Sequence, residues 1–502
     1  MTDTTYQIIA MVIYMIAMLA IGWYSYRKTQ NLNDYMLGGR DLHPAVAALS
    51  AGAADMSGWL LMGLPGAVYA TGLVEGWIAV GLTLGAWCNW KIVAPRLRAY
   101  TQVANDSITV PSFLENRLKD RSRMLRIVSG LIILAFFTFY VSSGMVAGGV
   151  FMHSSFGLDY RLGMVIVAVV TILYTLFGGF LAVSYTDFVQ GMMMAAALVA
   201  VPIVGIITLG GFGETGRLIG EADAVAGLDH LAVLPRELTA VAIVGIISSL
   251  AWGLGYFGQP HIIVRFMALR STKEAIAGRR IGVGWMLLAV VGALSTSLIG
   301  VAWFQREGQV LEDPETVYIR MGQILFHPLI AGFMLAAVLA AIMSTVSSQL
   351  IVTSSALVED VTKALSRKER PDHQYVFLGR AAVLVVALVA AAMAWTQNDT
   401  ILALVAFAWA GFGASFGPSV LLSLFWRRFS TAGALASMVT GAVIVGVWGN
   451  VDGGIFDLYE LLPGFLGALF VGWVVSLATH KPHPEVEREF DEALEVVQKI
   501  KE

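Results

Sequence analysis

The stretch SAGAADMSGWLLMGLP, residues 50–65, is apolar overall but is interrupted by a carboxylate, three glycines and a proline. It lies in the apolar stretch 43–71, which is longer than the roughly 20 residues that a helix needs to cross a bilayer. Backbone groups that are freed inside a membrane are tolerated only where protein buries them or where they line a cavity. We therefore expect this helix to be broken between Asp55 and Pro65.

The rest of the chain is similarly apolar. Of its 502 residues, 57% are hydrophobic and 13% are charged, and the mean hydropathy is +0.73. One soluble core cannot bury so much apolar surface, so the bilayer must act as its solvent. The sequence predicts an all-α polytopic membrane protein with about thirteen transmembrane spans, at approximately 6–24, 43–71, 76–93, 126–152, 162–180, 186–210, 238–258, 281–304, 326–352, 375–396, 400–425, 430–449 and 460–479.

The basic residues predict the orientation of these spans. Arg27 and Lys28 follow span 1 and no basic residue precedes it, which indicates a retained helix with its N-terminus outside. The C-terminus is then cytoplasmic. Of the 32 Lys and Arg, five fall in the predicted outer loops and 27 on the inner side, as the positive-inside rule requires. The net charge of −3 gives no reason to expect a nucleic-acid partner.

A second break is predicted at the end of span 7, where residues 252–260 read WGLGYFGQP. Spans 2 and 7 are five apart and cross in opposite directions, so 43–211 and 238–426 can form an inverted repeat of five spans each. The rest of the chain is then peripheral to the two repeats. It comprises span 1 with its cytoplasmic loop (1–42), the outer loop 212–237, spans 12 and 13 (427–480) and the tail 481–502. The alternative is that glycine and proline only kink these helices or permit close packing.

Asp55 is the carboxylate that we place near the middle of a span. A charge there is costly unless a cation, a partner or water meets it, which favours a functional role. The alternative is a protonated or hydrogen-bonded structural aspartate.

Span 9 carries small and hydroxyl-bearing residues on one helical face, at positions i, i+3, i+4 and i+7: Ala341, Ser344, Thr345 and Ser348. Such a stripe favours close helix packing. Together with carbonyls freed in span 2, its oxygens can also coordinate a hard monovalent cation such as sodium.

Aromatic residues gather near the predicted breaks: Trp59, Tyr140, Trp252 and Tyr256. Aromatic walls suit a compact apolar ring, although each residue alone more often belongs to a core or an interface. The N-termini of broken helices present unpaired N–H groups that can hold a carboxylate.

Other classes of protein fit poorly. Cys88 is the single cysteine and the histidines lack metal-ligand spacing, so a thiolate or transition-metal site is not expected. GFGETG, residues 211–216, matches a dinucleotide fingerprint but follows a membrane span. An enzyme is not expected, because Asp55 alone supplies neither a nucleophile with its base nor a metal site. We also expect no obligate protein partner.

Residues 50–65, residues 252–260 and Met343-Ser344-Thr345 together resemble the sodium/solute symporter family. The resemblance runs from end to end and is strongest to the bacterial branch that carries proline. It implies a LeuT-type core of two inverted five-helix repeats in the bacterial cytoplasmic (inner) membrane. It also implies sodium-coupled uptake of L-proline by alternating access.

The resemblance further implies the residues of each site. Sodium would be bound by the carbonyls of Ala53, Met56 and Ala341 with the hydroxyls of Ser344 and Thr345, and Asp55 would support it. Proline would be bound by Ser57, Gly58, Trp59, Tyr140, Trp252, Tyr256 and Pro260. Arg40 and Asp187 match charged positions that either gate the transporter or form structural pairs.

Two other functions stay open at this point. A symporter of the same family could carry another small solute, which competition against labelled proline would reveal. A proton-coupled carrier with Asp55 as its relay would follow pH and ignore sodium.

Overall fold

The computed structural model describes residues 2–28, 34–35, 38–365, 371–396 and 400–499. Parts of the predicted first loop (29–33 and 36–37) and the end of the tail (500–502) lie outside the described residues. Within the described ranges the ordered structure is helical, apart from one isolated β-bridge between Leu42 and Leu269.

In the described residues of the first half of the chain, the α-helices α1 to α9 follow one another. Their bounds are α1 Asp3–Tyr26, α2 Pro44–Gly58, α3 Leu64–Thr71, α4 Trp77–Cys88, α5 Ala94–Val103, α6 Val110–Leu118, α7 Met124–Phe156, α8 Tyr160–Leu209 and α9 Phe212–Ala226. Short 3-10 or π turns lie at Gly38–Arg40, Trp59–Gly63, Leu73–Gly76 and Asn89–Val93.

The described residues of the second half contain α10 to α20. Their bounds are α10 Ala240–Ala251, α11 Pro260–Met267, α12 Glu274–Glu307, α13 Val317–Leu325, α14 Pro328–Ser355, α15 Lys363–Leu365, α16 Asp372–Met393, α17 Ile401–Phe425, α18 Thr431–Trp448, α19 Leu461–Thr479 and α20 Pro484–Gln498. Short 3-10 or π turns lie at Trp252–Gly258, Pro314–Thr316, Ala356–Thr362 and Gly454–Asp457.

Eleven helical segments in the described part of the chain are long and apolar enough to cross a membrane. This number of segments is smaller than the predicted count of about thirteen spans, which stays a prediction. Predicted span 3 corresponds to α4, which continues through a π turn into the basic helix α5. Predicted span 5 corresponds to the shorter apolar segment Tyr160–Leu176.

Predicted spans 5 and 6 meet inside α8 without an intervening loop. Gly179 alone leaves the helical conformation there, with φ 61° and ψ −154°. A positive φ is accessible to glycine because it has no Cβ, so this residue can turn the chain between the two spans. Residues 181–185, which the predicted bounds left between the two spans, are helical.

Both predicted helix breaks are confirmed. In the first, Ser57 leaves the helical conformation within α2, and the π turn Trp59–Gly63 leads into α3. In the second, α10 ends at Ala251, the 3-10 turn Trp252–Gly258 follows, and Gln259 is extended before α11 begins at Pro260. Proline suits the first turn of a helix, where its missing N–H costs no hydrogen bond.

The broken helix and α14 lie at the centre of the molecule. In the most apolar 18-residue part of each segment, 83% of the residues are buried for Pro44–Thr71 and 78% for Pro328–Thr362. The corresponding share for His373–Met393 is 28%. Exposed leucine and valine side chains such as Leu384, Val385 and Leu388 cover α16 instead. The central helices therefore contact protein, whereas the peripheral ones present apolar side chains suited to lipid.

Candidate functional site

The break in α2 is centred on Ser57. This residue adopts φ 46° and ψ −167°, a conformation that non-glycine residues rarely adopt and that costs of order 1–3 kcal/mol. Its Oγ accepts a hydrogen bond from the backbone N–H of Trp59 at 3.1 Å. The side chain thus replaces part of the hydrogen bonding that the helix loses.

The hydroxyl stripe of α14 faces this broken helix. Ser344 Oγ lies 2.7 Å from the carbonyl oxygen of Ala53, to which it donates, and 3.1 Å from that of Ala341. Thr345 Oγ1 lies 3.2 Å from the same Ala341 oxygen. The structure therefore brings together four of the five residues predicted to bind sodium. The fifth, Met56, lies at the break, where its carbonyl accepts from the N–H of Trp59.

This cluster consists of uncharged oxygen atoms in a buried environment. Ala53, Ala341 and Ser344 are 0% exposed and Thr345 is 2% exposed. Hard cations prefer oxygen ligands, and neutral carbonyls and hydroxyls offer them without requiring a buried counter-charge. The cluster has the chemistry that a small monovalent cation needs.

A small cavity with aromatic walls lies beside the cluster. It is lined by Asp55, Met56, Trp59, Leu82, Tyr140, Trp252, Val405 and Trp409. The Trp59 and Trp252 rings stack at 6.0 Å between centroids, and Trp252 stacks on Tyr459 at 5.3 Å. Three of the residues predicted to bind proline, Trp59, Tyr140 and Trp252, therefore line one cavity. Trp59 Nε1 is buried and has no hydrogen-bond partner among the described residues.

Asp55 separates this cavity from a second small one. The second cavity lies toward Trp90, Trp285 and Met286 and is also lined by Asp55 and Tyr256. The Tyr256 hydroxyl donates a hydrogen bond to the Asp55 carboxylate. The Asp55 side chain is therefore both paired and adjacent to space on two sides.

Two of the predicted proline residues occupy other environments. Gly58 packs against α7 and α14, and a Cβ there would lie 2.9 Å from the Cβ of Ala147. Pro260 lines a separate small cavity with Ser355 and Asp360. The structure thus brings Gly58 into a helix contact and does not bring Pro260 to the aromatic cavity.

Asp187 is the centre of a buried ion cluster. It and Arg265 are both 0% exposed, and Arg265 Nη2 lies 3.1 Å from Asp187 Oδ2. The hydroxyls of Ser50 and Ser348 donate to the same carboxylate oxygen at 2.7 Å and 3.1 Å. Of the two roles that the sequence left open, this geometry favours a structural pair that ties α2, α8, α11 and α14 together.

Arg40 lies outside the membrane spans and joins the end of α11 to the loop that contains Asp106 and Ser107. Its guanidinium donates to the carbonyl oxygens of Met267 and Ser107 and lies 3.1 Å from the exposed carboxylate of Asp106. Burial lowers the pKa of the Arg40 guanidinium to about 10, which leaves it charged at neutral pH. These contacts favour structural pairing for Arg40 as well.

Sequence reasoning missed several residues of the site. Trp409 donates from Nε1 to the Trp252 carbonyl at 2.8 Å, and Asn89 donates to the Tyr256 carbonyl at 3.0 Å. A Cβ on Gly255 would come within 1.9 Å of Trp409 Nε1, so only glycine fits there. Asn89 is an uncommon polar residue within a span, and that signal could have identified it.

Comparison with known proteins identifies relatives along nearly the whole chain. The model of the "Sodium:solute symporter family" matches residues 35–441. The "High-affinity proline transporter PutP" of Bacillus subtilis is 57% identical over 95% of this chain and 98% of its own length. The "Osmoregulated proline transporter OpuE" of the same organism is 53% identical over 95% of each chain. A "Sodium/proline symporter" of Staphylococcus aureus is 50% identical over 98% of this chain and 96% of its own length.

Solved structures show the same fold. A Na+-coupled sialic acid symporter in a substrate-bound outward-open state matches with a TM-score of 0.80 at 19% identity, over 95% of this chain and 99% of that chain. MhsT in complex with L-phenylalanine matches with a TM-score of 0.52 at 12% identity, over 86% of this chain and 98% of that chain. The predicted all-α fold of the LeuT type is confirmed.

Proposed function

Because this chain belongs to the sodium:solute symporter family, we propose that it couples sodium entry to the uptake of L-proline across a bacterial cytoplasmic membrane. The observation that carries the proposal is the contact between Ser344 Oγ and the Ala53 carbonyl, which joins the hydroxyl stripe to the broken helix. The proline transporters and sodium/proline symporters at 50–57% identity support the choice of cargo. The proposed role is transport and not catalysis.

The proposed sodium site consists of the Ala53, Met56 and Ala341 carbonyls with the Ser344 and Thr345 hydroxyls. Sodium binding there would replace hydrogen bonds within the cluster by ion–oxygen contacts. It would hold α2 against α14 and so fix the geometry of the aromatic cavity next to it. Coupling is then conformational, because the ion favours the state in which the solute site is formed.

The proposed proline site is the aromatic cavity. Stacked Trp59 and Trp252 offer flat apolar walls to a pyrrolidine ring, and Tyr140 lies on the same cavity. The unpaired Trp59 Nε1–H and the backbone around Ser57 can donate to a carboxylate. Gly58, Tyr256 and Pro260 would act on the site from the surrounding elements.

The proposed arrangement has two inverted repeats, 43–211 and 238–426, with an outer N-terminus and a cytoplasmic C-terminus. A sodium ion that enters down ~100 mV gains ~2.3 kcal/mol, and a tenfold gradient adds ~1.4 kcal/mol. The total of ~3.7 kcal/mol supports roughly 500-fold accumulation of a net-neutral solute at 1:1 stoichiometry. One ion per proline is therefore sufficient.

Purified protein reconstituted into liposomes tests the proposal. With an inward sodium gradient and an inside-negative potential, we expect concentrative uptake of labelled proline, and none when choline replaces sodium. Equal accumulation in choline would overturn sodium coupling, and uptake that followed an imposed pH gradient would favour the proton-coupled alternative. If the protein accumulated another solute and excess unlabelled proline did not reduce that uptake, proline would not be the cargo.

A further inference from the structure

A groove of about 360 Å³ opens where the π turn Asn89–Val93, α5, α12 and α17 approach the C-terminal helix α20. Its walls are largely apolar and include Ile276, Phe425 and Leu494. Ile276 and Phe425 are exposed, at 38% and 40%. The groove is therefore open to the surroundings and can accept an apolar chain.

Three cations line the same groove: Lys91, Arg96 and Arg279. None of the described residues that line it is acidic. Arg279 has no hydrogen bond or ion pair to any residue in the described ranges, and Lys91 contacts only the face of Trp87, at 4.3 Å. Within the described ranges no acidic side chain pairs with these positive charges, and an anionic ligand would supply a counter-ion.

Arg96 is already held in position. Its Nη1 donates to the Leu424 carbonyl at 2.9 Å, and its guanidinium lies 4.2 Å from the centroid of the Phe425 ring. An oriented guanidinium binds phosphate through two parallel hydrogen bonds, which a mobile side chain does less well. Its free donors are available to such a group.

The position of the groove relative to the spans identifies the ligand. Lys91 lies two residues before the predicted end of span 3, Arg279 lies two residues before span 8, and Phe425 ends span 11. The cations are therefore at the level of lipid headgroups, and the apolar wall residues Ile92 and Phe425 lie within predicted spans 3 and 11. We propose that this groove binds one phospholipid with an anionic headgroup, its phosphate on the three cations and an acyl chain along Ile92, Ile276 and Phe425.

The bound lipid would also contact α20, because Leu494 belongs to that helix. The helix is attached elsewhere by the ion pairs of Lys119 with Glu489 and of Arg427 with Asp491, and by the edge-to-face contact of Phe490 with Tyr100. A lipid between α20 and the ends of the spans would add a further link on the basic face of the molecule. This role goes beyond transport itself and does not depend on which solute is carried.

The test uses the full chain, purified in detergent and stripped of lipid. Phosphatidylglycerol, phosphatidylcholine and inorganic phosphate are titrated separately while the apparent unfolding temperature is measured. A ligand that binds the folded state raises this temperature, so we expect phosphatidylglycerol to raise it more than phosphatidylcholine does. The same effect from phosphate alone would overturn the proposal, because the apolar walls would then contribute nothing.

Variants locate the effect. In Lys91→Gln/Arg96→Gln/Arg279→Gln, the affinity for phosphatidylglycerol should fall about fivefold for each cation removed. The matched control Lys273→Gln/Arg280→Gln removes two cations nearby that do not line the groove, and it should bind as the unmodified protein does. Equal losses in both variants would overturn the assignment to this groove.

A second variant keeps the test decisive if the triple variant fails to fold. Ile276→Trp fills the apolar part of the groove and keeps all three cations, and it should abolish the preference for phosphatidylglycerol. Retention of that preference would overturn the proposal. A chain ending at Lys499 that bound phosphatidylglycerol much more tightly would also overturn it, since the last three residues would then be the natural occupant.

Discussion

Asp55, which belongs to α2, and Asp187, which packs against it, are both buried carboxylates. They differ in the number of protein groups that donate hydrogen bonds to them. One oxygen of Asp187 accepts hydrogen bonds from Arg265, Ser50 and Ser348. Among the described residues, Asp55 accepts one hydrogen bond, from Tyr256, and it borders a small cavity on each side. Three donors on one oxygen of Asp187 tie helices together even though its Oδ1 has no partner in the described part of the chain, whereas a carboxylate that adjoins space on two sides is placed to respond to a ligand.

The oxygen cluster of Ala53, Ala341, Ser344 and Thr345 lies between these two regions along α2, where Ser50 contacts Asp187 and Ala53 contacts Ser344. Ser348, which contacts Asp187, is one helical turn from Ser344, which contacts Ala53. The same stripe therefore serves the ion cluster at one end and the proposed sodium site at the other. This proximity explains how one helix can be fixed in place and still offer ligands.

The largest effect should come from breaking the ion cluster. Arg265→Gln leaves the Asp187 charge buried without its counter-ion, and losing one partner of a buried pair costs about 3–5 kcal/mol. We expect a strongly lowered apparent unfolding temperature in detergent, with partial recovery in Asp187→Asn/Arg265→Gln because neither side chain is then charged. The exposed ion pair between Arg217 and Glu214 supplies a control. Arg217→Gln should change the unfolding temperature little, because exposed ion pairs contribute little to stability. If Arg265→Gln were as stable as the unmodified protein, the ion cluster around Asp187 would not be structural.

A smaller but more specific effect is expected at the oxygen cluster. Ser344→Ala/Thr345→Ala removes both proposed hydroxyl ligands of the ion, each of which contributes about 1.5 kcal/mol or more when bound to a charged group. The sodium concentration for half-maximal proline uptake should rise roughly 100-fold, while stability changes less than in Arg265→Gln. Uptake by proteoliposomes across a sodium series measures this.

Ser347→Ala is the matched control for that experiment. Ser347 is buried on the same helix, but its hydroxyl donates to the Ser344 carbonyl of its own turn at 3.1 Å and has no hydrogen bond to α2 among the described residues. It should leave the sodium dependence unchanged. If Ser344→Ala/Thr345→Ala also left the sodium dependence unchanged, the oxygen cluster would not be the sodium site.

The broken helices and the hydroxyl stripe could be predicted because their signals are local. Glycine, serine and proline within 50–65 and 252–260 disfavour a continuous helix, and the stripe of Ala341 to Ser348 follows the 3.6-residue period directly. Both features depend on residues within a few turns of one another. The structure places them as the sequence indicated.

The Asp187–Arg265 pair could not be predicted in this way. The two residues are 78 positions apart, and each one alone lies close enough to a span end to be interpreted as a surface charge. Pairing depends on how α8 packs against α11, which no local pattern records. The boundary between predicted spans 5 and 6 was misplaced for a related reason, since the chain turns at Gly179 and not within 181–185.

The smallest effect separates the two roles of Asp55. Tyr256→Phe removes the one hydroxyl that donates to this carboxylate and keeps the ring that packs edge-on against Trp409 at 5.2 Å. A hydrogen bond to a charged group contributes about 1.5–3 kcal/mol, so we expect roughly tenfold weaker proline uptake at limiting substrate, with sodium dependence shifted less than in Ser344→Ala/Thr345→Ala. Tyr318→Phe is the control, because that buried hydroxyl has no partner among the described residues and its loss should change neither. If Tyr256→Phe instead lowered the unfolding temperature as far as Arg265→Gln does, Asp55 would belong with Asp187 among the structural carboxylates, and the aromatic cavity would need another residue to link it to the ion.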